Sequence, residues 1–70
     1  MAMPEIRLTN FEGQDHRGAV FADGMSIGSW QVQRWVRGRA RVYVAWLEDG
    51  QTLVDEAPER LARKIRLVLG

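Results

Sequence analysis

Between Ser29 and Leu47 two runs of alternating apolar and polar side chains flank Arg37-Gly38-Arg39, and no other segment restricts the possible folds as strongly. Period-two alternation on both sides of a glycine-bearing break is the signature of a β-hairpin. Trp30, Val32 and Val36 share one face of the first arm, and Val42, Val44 and Trp46 share one face of the second. The two apolar sets meet on one side of the ladder when Val36 opposes Val42 and Val32 opposes Trp46. That register closes on the three-residue loop Gly38-Arg39-Ala40, whereas a two-residue Gly38-Arg39 turn requires a bulge. In the favoured register Trp30 and Trp46 are core residues. Trp35 then lies opposite Tyr43 on the other face, with Gln31, Gln33, Arg37 and Arg41 around them, and Arg34 is a misfit on the core face.

The rest of the chain supplies partners for this hairpin. Ile6 to Phe11 alternates and ends at Glu12-Gly13-Gln14-Asp15, which predicts a first strand followed by a loop reaching to Arg17. Gly18 to Ala22 leads into Asp23-Gly24, a pair suited to the positive φ of a tight hairpin turn, and the chain returns through Met25-Ser26-Ile27. Gly28 is placed to bend or bulge the returning strand, so Met25 to Val36 reads as one long kinked strand. Asp49-Gly50 marks another turn, and Gln51 to Val54 a short edge strand. The period then changes to 3.6. Leu61, Ala62, Ile65, Val68 and Leu69 fall on one side of a helix, with Arg60, Arg63, Lys64 and Leu67 opposite. Asp55 is the expected cap, Pro58 suits the first turn, and Glu56 and Glu59 are spaced to pair with Arg60 and Arg63. The predicted fold is α+β: an antiparallel meander of four or five strands packed against one C-terminal amphipathic helix. The whole chain, residues 1–70, is expected to form a single domain.

Composition narrows the function. A chain of 70 residues without cysteine has neither disulfides nor thiolate zinc sites to support a small core. Packing, or a second copy of the chain, must supply the stability. The sequence has no run of about 18 apolar residues and no basic leader followed by an apolar stretch, which predicts a soluble cytoplasmic protein that does not engage membranes. The net charge of +1 conceals a segregation: Arg34, Arg37, Arg39 and Arg41 stand in a stretch free of acids, while carboxylates dominate on either side. Asp15-His16 contains the one histidine, in a loop, and neither Ser26 nor Ser29 sits in a nucleophile elbow or beside a base and its orienting partner. The acidic pairs Glu48-Asp49 and Asp55-Glu56 fit no calcium loop, and Asp23 to Gly28 lacks the lysine of a phosphate loop. No enzyme, no cofactor and no metal is therefore expected.

A binding module remains. Its expected contact residues are Gln31, Gln33, Trp35, Arg37, Arg39, Arg41 and Tyr43, with the aromatics as anchors and the arginines as polar contacts. Arginine beside tryptophan and tyrosine is typical both of protein hot spots and of surfaces on which bases stack. The same arginines could instead lie over the rings and satisfy one another with no partner. The modest net charge favours a protein partner or a homodimer, and makes nucleic acid the alternative. Small phage-type inhibitors of bacterial machinery, with an anti-CRISPR-like role as one example, are built at this scale. In layout alone, strands followed by one helix, the chain resembles the arm-binding domains of tyrosine recombinases, which read DNA with a three-stranded sheet; no motif residue supports more than that.

Overall fold

A computed structural model describes residues 4–34 and 41–69. It contains five strands and one helix, β1 Ile6–Asn10, β2 Arg17–Ala22, β3 Met25–Arg34, β4 Arg41–Leu47, β5 Thr52–Asp55 and α1 Pro58–Leu69. The strands form one antiparallel sheet in the order β1-β2-β3-β4-β5, so each pairs with its sequence neighbour. The fold is α+β, as the change from period two to period 3.6 predicts.

The short connections follow from local chemistry. Asp23 and Gly24 both take positive φ, 50° and 84°, and close a two-residue turn between the paired residues Ala22 and Met25. After β4, Gly50 N–H donates to the Leu47 carbonyl (3.0 Å) and Leu47 N–H to the Gln51 carbonyl (2.8 Å), with Gly50 at φ 93°. This is the three-residue hairpin loop that ends on a left-handed glycine. Asp49 accepts from the Gln51 N–H at 3.0 Å, and this bond, with a second from the Gln51 side chain, lowers its carboxyl below the ordinary carboxylate range.

β3 carries one extra residue. Val20 pairs with Gly28 and Phe21 with Ser26, which leaves Ile27 as a bulge. The expected irregularity thus falls next to Gly28, where space requires glycine: a Cβ there would lie 2.2 Å from the Trp46 carbonyl oxygen. Gly18 is tighter still. Its Cβ would fall 1.6 Å from the Thr9 carbonyl oxygen and 2.8 Å from Trp30 Nε1, atoms that are themselves hydrogen-bonded at 3.0 Å. The bare backbone at Gly18 lets the indole cross β2 and anchor on β1.

The inner face of the sheet carries Ile6, Val20, Trp30, Ala45 and Leu47, which form one cluster with Leu61 and Ile65 of the helix. The helix packs on β1, β4 and β5, so it reaches from one edge strand of the sheet to the other. Leu61 and Ile65 have no exposed surface, and truncating either to alanine would remove about 2–5 kcal/mol. The apolar stripe is covered less far than its period suggests. Val68 and Leu69, expected in the core, are 40% and 41% exposed, and Leu67 on the outer side is 65% exposed.

Asp55 caps the helix by a different route from a simple N-cap. Its Oδ1 accepts from the Ala57 N–H (3.1 Å) and from Arg60 Nε (2.9 Å), and Lys64 Nζ lies 3.0 Å from Oδ2. Arg60 therefore pairs with Asp55 rather than with Glu56, because Glu56 precedes the first helical residue, Pro58, and is off the i,i+4 geometry. Glu59 and Arg63 form no ion pair among the described residues. No helix of the described residues is long and apolar enough to cross a membrane.

Candidate functional site

The register of β3 against β4 decides which side chains share a surface. Val32 pairs with Tyr43, Gln33 with Val42, Gln31 with Val44 and Arg34 with Arg41. This is three residues away from the register in which Val32 meets Trp46 and Val36 meets Val42. An odd shift turns every side chain of one arm to the opposite face. Every β4 assignment is therefore corrected: Val42, Val44 and Trp46, expected on the core face, lie on the outer face, and Arg41 and Tyr43, expected outside, lie on the inner face. Tyr43 is on the inner face, packed at the margin of the core with its ring 6.1 Å from that of Trp30. Trp46, expected beside Trp30 in the core, is on the outer face and 37% exposed, against 5% for Trp30.

The expected contact set consequently divides. Gln31 and Gln33 lie on the outer face, and Arg41 and Tyr43 on the inner face. Trp35, Arg37 and Arg39, with the expected turn Gly38-Arg39-Ala40, lie outside the described residues. Arg34 falls on the inner face as anticipated, but at its end beyond Val32, where it is exposed and not a core misfit.

Two surfaces emerge. On the outer face the cross-strand row Thr9, Ala19, Ser29, Trp46 and Thr52 runs over all five strands. Beside it lie Arg17, Gln31, Val44 and Val54, with Val42 and Gln33 next along. Trp46 is the one large side chain of this row and is 37% exposed. Phe21 sits farther along the same face, next to Arg7 on β1, and lines a cleft of about 430 Å³ with Thr9 and Asp23. Among the described residues no element covers this face, since the helix occupies the other side. The second surface is a cleft of about 310 Å³ at the end of the inner face, lined by Asp15, His16, Val32, Arg34, Arg41 and Tyr43. The His16 carbonyl accepts from the Val32 N–H at 2.8 Å, which ties the β1–β2 loop to this end of the sheet.

Trp46, Val42 and Val54 on the outer face, and Arg34 and His16 in the cleft, were not among the contact residues expected from the sequence. The alternation of β4 could have marked Trp46, because Tyr43, Ala45 and Leu47 form as good an apolar set as Val42, Val44 and Trp46. Nothing in the sequence brings His16 to the arginines. No group of three or more potential metal-ligating side chains occurs among the described residues. No family model, curated protein or solved structure matches the chain.

Proposed function

We propose that the chain is a single non-enzymatic protein-interaction module that binds its partner through the outer face of the β3–β4 hairpin. The observation that carries this reading is Trp46: a large indole, 37% exposed, on a sheet face that no described element covers. Tryptophan in such a position is the residue type that most often dominates a protein interface, because it buries a large rigid surface for little loss of conformational freedom. Val54 adds apolar area diagonally across from it and Val42 farther along the same face, and Gln31 and Gln33 offer amide donors and acceptors. Trp35, Arg37 and Arg39, in the connection between the two strands, are further candidate contacts of the same hairpin. A second copy of the chain is one partner that this surface would accept.

Affinity capture with the intact chain and with Trp46→Ala tests the proposal. The variant is expected to keep its melting temperature to within a few degrees and to lose its partner, at a cost of about 2 kcal/mol or more in affinity. A partner retained equally by both chains would remove the outer face from consideration. Nucleic acid is the second reading, supported by the acid-free run from Arg34 to Arg41. It predicts affinity that collapses between about 50 and 200 mM salt, whereas an apolar protein interface changes much less.

A further inference from the structure

We propose that the cleft at the end of the inner face is a receptor for a phosphate monoester, held between Arg34 and Arg41. The site shares no described residue with the outer-face interface and stands or falls independently of it.

Arg34 and Arg41 are direct cross-strand partners on the same face of the sheet. Like charges in that position repel, and a guanidinium cannot relieve the repulsion by losing its proton as a lysine can. Neither arginine is within salt-bridge distance of a carboxylate among the described residues, and the connection 35–40 contains no acidic side chain. Two fixed positive charges are thus held side by side with no carboxylate in salt-bridge contact among the described residues. The other groups of the cleft suit an anion as well. Tyr43 brings a phenolic hydroxyl, and Val32 an apolar wall. His16 contributes an imidazole, with Nδ1 3.6 Å from Asp15 Oδ1. Among the described residues Asp15 is the one acid lining the cleft; its side chain is fully exposed, with Oδ1 3.6 Å from His16 Nδ1 and not within salt-bridge distance of the arginines.

Charge and size select the ligand. A phosphate monoester carries about −1.5 to −2 near neutral pH and presents three acceptor oxygens, enough to neutralise both guanidinium groups and to accept from each in the planar forked geometry. A carboxylate carries a single charge and would leave one arginine uncompensated. The volume of about 310 Å³ holds a phosphate with a small organic group attached, which would lie against Val32 and the Tyr43 ring.

The test is a titration of the full chain with phenyl phosphate at pH 7.5, followed by NMR, with benzoate and a short single-stranded oligonucleotide as comparison ligands. Saturable shifts confined to residues around His16, Val32, Arg34, Arg41 and Tyr43 are expected, with phenyl phosphate at least tenfold tighter than benzoate. Arg34→Gln and Arg41→Gln should each weaken phenyl phosphate by at least tenfold. Each should also raise the melting temperature in phosphate-free buffer, by roughly 2–5 °C, because the repulsion is gone. That rise shows that the lost binding is not lost folding. Trp46→Ala should bind phenyl phosphate as the unaltered chain does. Equal affinity for benzoate, unchanged affinity in both arginine variants, or a lower melting temperature in both would overturn the proposal. Tighter, steeply salt-dependent binding of the oligonucleotide through the same residues would overturn it in favour of a phosphodiester strand.

Discussion

Gly18→Ala tests the packing argument at its tightest point. The added Cβ would fall 1.6 Å from the Thr9 carbonyl oxygen, and no rotamer change can relieve an overlap with backbone. β1 must move away from β2, and the Trp30 Nε1–H bond to the Thr9 carbonyl, 3.0 Å long and partly buried, is broken by the same movement. Overpacking of a core costs about 1–3 kcal/mol and an unsatisfied buried donor about 1–3 kcal/mol, so the combined loss is roughly 2–5 kcal/mol. Chains of 70 residues have about 4–10 kcal/mol of stability in total. The expected fall in melting temperature, followed by circular dichroism, is therefore roughly 10–30 °C. Gly18 does not adopt positive φ, so backbone strain adds nothing to this figure, and the lower entropy of the unfolded alanine chain offsets it by about 0.4–1 kcal/mol. A change under about 3 °C would refute the reasoning. The double variant Gly18→Ala/Trp30→Phe localises the obstacle: if removing the indole N–H restored the stability lost to the alanine, the conflict would lie with Trp30 and not with the β1 backbone.

The two described tryptophans should behave oppositely: Trp30→Ala is expected to cost about 3–5 kcal/mol in urea denaturation, and Trp46→Ala under about 1 kcal/mol. Gly24→Ala meets no neighbour but places a side chain at φ 84°, and should cost about 1 kcal/mol in the same assay. Asp55, with its side chain 9% exposed, is held well below the ordinary carboxylate range, first by the Ala57 N–H and then by Lys64 and Arg60. A carboxyl depressed by folding gives stability that is present above its unfolded value of about 4 and is lost as pH falls through the acid range. The gap in melting temperature between the native chain and Asp55→Asn should therefore be constant above about pH 4 and close as pH falls below it; a gap unchanged below about pH 4 would rule out the Asp55 cluster as an acid-sensitive element.

The features legible in the sequence are those fixed by chemistry within a few residues. Asp23-Gly24 and Asp49-Gly50 specify their turns because the left-handed backbone suits glycine and tolerates aspartate, and the helix is announced by Pro58 and a 3.6-residue apolar stripe. The β3–β4 register was not legible. Six of the seven side chains in β4, Val42 to Leu47, are apolar, so both of its faces satisfy the alternation rule and the turn alone must choose between them. Taking Gly38-Arg39-Ala40 as the loop set the wrong parity, which exchanged the faces of Tyr43 and Trp46. The cleft was hidden for another reason. It brings His16 beside Arg34 and Arg41, and that proximity depends on how the β1–β2 loop is held to β3, for which the sequence has no local code.

Because α1 touches both edge strands, it also governs how the chain avoids sticking to itself. A meander whose strands pair only with sequence neighbours can assemble hairpin by hairpin, and closing such short loops is fast. Until the helix docks, that sheet has an uncovered apolar inner face between two bare edges, which is a template for pairing with another chain. The core cluster that docking completes joins Ile6 of β1 with Leu61 and Ile65 of α1. Docking is then the event that converts a set of separable hairpins into one cooperative unit. Weakening the packing of Leu61 and Ile65 on the sheet would be felt first as aggregation during refolding, before any loss of secondary structure at equilibrium.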